Sequence, residues 1–93
     1  MNTIYKYDLS KQLSLGNELC IPVSSKFLSV QIDPKNDNIC MWYLVSTDNP
    51  TMLRKIHIFG TGNPLPETID CMKHCGTVIS RIGMVWHIFE ELA

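Results

Sequence analysis

Arg54, Lys55 and His57 stand almost side by side in LRKIHIF, and that segment runs directly into GTGNP, Gly60 to Pro64. A guanidinium, an ammonium and an imidazole are charge-assisted donors suited to a phosphate. Gly60 and Gly62 permit positive φ, so the backbone N–H groups of Thr61, Gly62 and Asn63 could converge into an anion-binding nest. Neither familiar phosphate loop is present. The spacing and lysine of G-x-x-x-x-G-K-[ST] are missing, and G-x-G-x-x-G fails at Leu65. A lone G-T-G is first of all a strand-ending turn. It becomes a ligand loop only if Arg54, Lys55 and His57 face the same hollow.

Trp86 and His87 are the second candidate pair, since an indole can stack on a nucleobase and an imidazole can donate to a ribose or phosphate. The competing reading packs Trp86 into the core with His87 as a satisfied neighbour. Trp42 and Tyr43 are adjacent, so in a strand they put one large aromatic on each side, and they are the interface candidates. CMKHC, Cys71 to Cys75, offers two thiols and His74 but lacks the second knuckle of a structural zinc site, while Cys20 and Cys40 stand singly. Glu90 and Glu91 are adjacent and point apart in a strand. His57 and His87 both open the tripeptide HIF, so the hydroxyls of a two-histidine H-x-[ST] phosphodiesterase site are missing from them. No catalytic residue, metal or cofactor is therefore assigned.

These groups need strands to hold them, and turn signals recur at the spacing of an all-β domain. IYKYDL puts Tyr5, Tyr7 and Leu9 on one face and Lys6 and Asp8 on the other. SLGNEL supplies a turn at Gly16 and Asn17. KFLSVQID alternates, with Leu28, Val30 and Ile32 inward and Ser29, Gln31 and Asp33 outward. DPKNDN is a hairpin connection in which Pro34 sets φ. ICMWYLV is apolar on both faces, as in a central strand covered on two sides or one whose outer face meets a partner. LRKIHIF turns Arg54, Ile56 and Ile58 one way and Lys55, His57 and Phe59 the other. Residues 60–76 form the longest connection, with a short helical turn expected around Glu67 to Met72. GTVISRIGMVWHIFEEL reads as two strands broken near Gly83, the second placing Met84, Trp86 and Ile88 opposite Val85, His87 and Phe89.

The expected fold is a single all-β domain over residues 1–93, a small antiparallel barrel or sandwich of about six to eight strands. Eight basic against nine acidic side chains give a formal charge of −1, which argues against a phosphate-dominated, sequence-specific grip on nucleic acid. No apolar run approaches the roughly 18 to 20 residues that cross a bilayer, and MNTIYKYDLS lacks a signal-peptide core, so a cytoplasmic protein without a membrane partner is expected. Its four cysteines should then be free thiols.

Taken together, KFLSVQID, ICMWYLV, IHIFGTGNPL and GTVISRIGMVWHIFE resemble a group of short, mostly uncharacterised proteins encoded by bacteriophages and prophages. The resemblance covers about residues 3 to 90, and its most specific parts are the G-T-G-x-P turn at Gly60 to Pro64 and V-W-H-x-F at Val85 to Phe89. A histidine often follows the second glycine in that family, where this chain has Asn63. The resemblance implies a compact β fold and a phage protein acting in the host cytoplasm. By analogy with other small phage proteins, the expected role is an anti-defence sponge. It would bind a nucleotide-type immune signal, such as a cyclic oligonucleotide or an ADP-ribose derivative, without cutting it. Self-association is expected as well, because a chain this short makes only a shallow pocket alone. Two rivals remain: a protein–protein inhibitor of a host defence enzyme, and a phosphodiesterase-like enzyme that degrades the signal.

Overall fold

A computed structural model of the chain describes residues 1–12 and 17–92. These residues form seven strands: β1 (Asn2–Asp8), β2 (Glu18–Pro22), β3 (Lys26–Ile32), β4 (Ile39–Ser46), β5 (Thr51–Gly60), β6 (Met72–Ile79) and β7 (Val85–Glu91). One helical turn, α1 (Leu9–Gln12), follows β1, and a 3-10 turn, Glu67–Cys71, precedes β6 where a short helical turn was expected. Every strand pair is antiparallel. Two sheets result, a three-stranded one in the order β1-β4-β3 and a four-stranded one in the order β2-β5-β7-β6, and they pack face to face as a sandwich rather than closing into a barrel. Among the described residues no helix is long and apolar enough to cross a membrane.

The core forms where the alternating apolar residues of both sheets meet. Tyr7, Met41, Tyr43 and Val45 point inward from the three-stranded sheet, and Leu19, Ile21, Ile56, Val78 and Ile88 meet them from the other. The ring of Tyr43 lies at the centre with no exposed surface, its edges against Tyr7 and Phe27 at centroid distances of 5.8 and 5.7 Å. Tyr43 therefore cannot serve as an interface residue, contrary to the sequence expectation. Its neighbour Trp42 does face outward, with the Lys6 ammonium 5.9 Å from its ring.

Two further expectations change. Leu9 leaves the strand and is buried at the start of α1, where the Asp8 carboxylate accepts the Ser10 N–H at 3.0 Å. Leu28 faces solvent instead of the core because it is the extra residue of a β-bulge, Phe27 pairing with Tyr43 and Ser29 with Trp42. Phe27 takes the inward place, and beyond the bulge Val30 and Ile32 pack against the core as their alternation requires. Asn17 occupies the left-handed region at φ 62°, as a turn residue should, whereas Gly16 lies outside the described residues.

Lys6 and Asp33 tie β1 to the β3–β4 hairpin at 2.8 Å, and this bond holds the Asp33 carboxyl below its ordinary value of 3.8. A carboxyl lowered by folding stabilises the native state above its unfolded pKa and loses that contribution as pH falls through the folded value. Asp33→Asn should therefore flatten the acid limb of a melting-temperature profile below pH 3.8 and leave the slope near neutrality unchanged. Parallel profiles for the two proteins across that acid range would contradict it.

Candidate functional site

β5, β7 and β6 lie side by side, and their outward side chains make two rows across the sheet. One row is His57, Phe89 and His74; the next is Phe59, His87 and Thr77. All three histidines of the chain thus share one face with two phenylalanines. His57 stacks flat along Phe59, with centroids 6.0 Å apart at 3°. Phe59 meets Phe89 edge-on at 5.7 Å, Phe89 meets His74 at 5.1 Å, and His74 lies 6.5 Å from His87.

Hydroxyl groups hold the central imidazole from both ends. Thr61 Oγ1 lies 2.6 Å from His87 Nε2, and Thr77 Oγ1 lies 2.9 Å from His87 Nδ1 and 3.1 Å from His74 Nε2. A hydroxyl can donate or accept, so this chain of contacts suits a neutral or a protonated His87. It also links two histidines through one oxygen that can pass a proton between them. His57 is differently engaged, with its Nε2 2.8 Å from Glu91 Oε2, and that bond holds the Glu91 carboxyl below its ordinary range.

The local fold explains how Thr61 arrives there. β5 ends at Gly60, and Gly62 adopts φ +86°, turning the chain back over the sheet. The Thr61 N–H donates to Val85 O of β7 at 3.4 Å and the Asn63 N–H to Gly60 O within the turn at 3.2 Å, so two amides of the expected nest are already spent on backbone carbonyls. Gly60 serves packing: a Cβ there would come within 2.9 Å of Asn63 Nδ2 and 3.4 Å of the Trp86 ring. The G-T-G turn contributes a side-chain hydroxyl to this face. Beside it, a hollow of about 270 Å³ opens between the turn and Phe59, His87 and Phe89. Gly62→Ala meets no neighbouring atom, so its cost is that of the backbone alone, about 1 kcal/mol in a urea titration, with the fold intact. An unchanged midpoint would show that the turn relaxes out of the left-handed region.

The residues singled out by sequence divide between two faces. Lys55 and His57 are on the outer face as expected and Arg54 points inward to Glu90; Arg54 and Lys55 line a hollow of about 420 Å³ together with Glu90 and Glu91, but His57 is not part of its lining, so the three basic groups do not share one hollow. Trp86 is likewise on the inner face, packed against the core and lying over Gly60, and only His87 joins the histidine face. Glu90 and Glu91 point apart as their adjacency requires, one to Arg54 and the other to His57. Two of the three groups expected to grip phosphate, Arg54 and His57, thus already face a carboxylate.

Phe59, Phe89, His74 and Thr77 were not singled out as site residues. The face of Phe59 and Phe89 was legible from alternation. His74 falls in the expected 60–76 connection, but β6 already begins at Met72, and a bulge then sets its face: His74 pairs with Phe89 and Gly76 with Ile88, leaving Cys75 as the extra residue, packed against the core. Burial pushes the Cys75 thiol up to about 11. All four cysteines are free. Among the described residues no three of His, Cys, Asp or Glu gather closely enough to hold a metal ion.

No curated protein and no solved structure matches the chain. The model of one protein family, a domain of unknown function designated DUF7352, matches residues 1–93. This β-sandwich, with its histidine and phenylalanine face, belongs to the DUF7352 family.

Proposed function

We propose that this protein is a phage accessory protein that binds a small nucleotide-type signal on the outer face of β5, β7 and β6 and sequesters it, countering host immunity from the host cytoplasm. The observation that carries the reading is the ring array itself: Phe59, Phe89 and three imidazoles laid out on one sheet face beside a hollow of about 270 Å³. A hollow just under the roughly 300–1,000 Å³ of drug-sized pockets suits one base or sugar, with the rest of the ligand lying across the face. Stacking on an aromatic is worth about 1–3 kcal/mol per base. His87, held at both nitrogens by Thr61 and Thr77, offers its ring face, and the Thr61 hydroxyl, which lines the hollow, supplies the polar contact. The phosphate is placed near Lys55, the outward ammonium of β5. The protein acts as a homo-oligomer.

The test mixes purified protein with cyclic dinucleotides and cyclic ADP-ribose isomers, follows thermal stability, and recovers the ligand by heating. A rise in melting temperature with one ligand and its intact recovery are expected. Phe89→Ala or His87→Ala should then weaken affinity about tenfold, the equivalent of roughly 1.4 kcal/mol. No shift with any nucleotide overturns the reading in favour of an inhibitor of a host defence enzyme. One observation favours a second reading, a phosphodiesterase-like enzyme: Thr77 joins His74 and His87, a pair through which a proton could pass. A chemically changed ligand after heating would establish it.

A further inference from the structure

Four strands lie at sheet edges, and three of them carry features that discourage a further strand from pairing. β2 is five residues long and ends in Pro22. β3 is interrupted by the bulge at Leu28 and β6 by the bulge at Cys75. These two edges also cover each other, since Gly76 of β6 packs against Val30 of β3. β1 has no proline, bulge or covering strand, and its one lysine, Lys6, is drawn aside to Asp33. It pairs with β4 in unbroken register from Asn2 to Asp8 and leaves Ile4 57% and Tyr5 41% exposed.

The direction of its backbone groups follows from one bond. Thr47 N–H donates to Met1 O at 2.9 Å, which makes Met1 and Thr47 a hydrogen-bonded pair of the antiparallel ladder. Such pairs recur at alternate residues, so Thr3, Tyr5 and Tyr7 turn their N–H and C=O toward β4. Asn2, Ile4 and Lys6 turn theirs to the open edge. Beside that edge lies a cleft of about 490 Å³, bounded across from β1 by Cys20 and Pro22.

We propose that two copies of this chain pair through β1, antiparallel about a two-fold axis at Tyr5, joining their three-stranded sheets into one six-stranded sheet. The register is self-complementary. With Tyr5 on the axis, Ile4 of one copy stands opposite Lys6 of the other, each pair exchanging both N–H···O bonds through groups that already point outward. No like charges meet, because the Lys6 ammonium is drawn aside to Asp33 at 2.8 Å and has an isoleucine across from it. The two copies of Tyr5 meet as a cross-strand aromatic pair. β1 belongs to the sheet opposite the histidine face, so both histidine faces stay open to ligand. The pairing deepens the proposed self-association and is independent of which ligand binds.

Sedimentation equilibrium on the full chain should show a dimer. Ile4→Pro deletes an outward N–H and leaves the β1–β4 ladder intact, so the protein still unfolds cooperatively while the dimer dissociation constant rises about tenfold or more. A cysteine on the axis gives a second reading. Tyr5→Cys, with Cys20→Ser and Cys71→Ser to remove the exposed thiols, should form an intermolecular disulfide, because Cα atoms of a non-hydrogen-bonded antiparallel pair lie about 4.5 Å apart. Lys6→Cys in the same background should not. A wild-type monomer across the micromolar range overturns both the self-association and the pairing. A dimer that persists unchanged in Ile4→Pro, or a Tyr5→Cys protein that does not cross-link, overturns the β1 pairing alone.

Discussion

Arg54→Met is expected to lower the free energy of unfolding by about 3 kcal/mol or more, the scale of removing one partner from a buried ion pair. The guanidinium enters from the inner face of β5, reaches Glu90 Oε2, donates to Ser25 O at 3.0 Å and lies 5.0 Å from the centre of the Tyr43 ring. Glu90, only 8% exposed, accepts the Tyr43 hydroxyl on its other oxygen at 2.7 Å. Burial and this carboxylate push the Tyr43 phenol far above its usual range, so it remains a neutral donor. Methionine would preserve much of the arginine stem's packing but leave the Glu90 carboxylate without its guanidinium, with the Tyr43 hydroxyl still donating to it. Removing the whole polar set should behave differently. Arg54→Met, Glu90→Leu and Tyr43→Phe together leave no orphaned charge or hydroxyl, only the Ser25 carbonyl without its guanidinium donor, and the triple variant should recover most of the loss, by about 2 kcal/mol or more relative to Arg54→Met alone. Urea titrations of the wild type, single and triple variants decide it. If the three losses simply add, the interior stabilises this pair beyond its desolvation cost.

Gly76→Ala should cost about 2 kcal/mol, because a Cβ at that position would stand 2.5 Å from Val30 Cγ1 where the two sheets approach. β-branched Val30 has little freedom to swing away, so the sheets must separate locally. Val30→Ala removes the obstructing methyl and costs about 1 kcal/mol alone as a small cavity. Combined, the two substitutions should be less damaging than the sum of their separate costs, with a coupling of about 1 kcal/mol in a double-mutant cycle. Strict additivity would show that the contact relaxes by another route. The consequence reaches the candidate site, because Gly76 directly follows the bulge that turns His74 outward. Disturbing this glycine should move the His74–Phe89 contact, which a ring-proton chemical-shift change at His74 would report.

How far the site was legible depended on whether each strand kept its period. LRKIHIF and VWHIFE alternate without interruption in β5 and β7, so the outward positions of His57, Phe59, His87 and Phe89 follow from counting by two. The same counting placed Arg54 with Ile56 and Ile58, which is the core side. Its basic chemistry suggested a ligand contact, but its partner lies 36 residues away on β7, a pairing no local pattern announces. Tyr43 was ambiguous for a related reason. A strand apolar on both faces does not say which face the second sheet will cover.

By itself, then, the sequence determined the all-β class, the strand periods, the turn at Gly60 to Gly62 and the failure of both phosphate-loop spacings. A two-residue period and the backbone freedom of glycine are local properties, readable along a single strand. Only the tertiary structure decided which aromatics are buried, that Arg54 belongs to Glu90, and that His74 and Thr77 share a face with His87. Three residues apart, His74 and Thr77 would lie on opposite sides of a regular strand; the extra residue at Cys75 reverses the phase and brings them together. Gly76 beside it is compatible with a bulge, but a glycine marks a close approach as readily, here that of Gly76 to Val30 of the facing sheet, and does not say by itself which residue is the extra one.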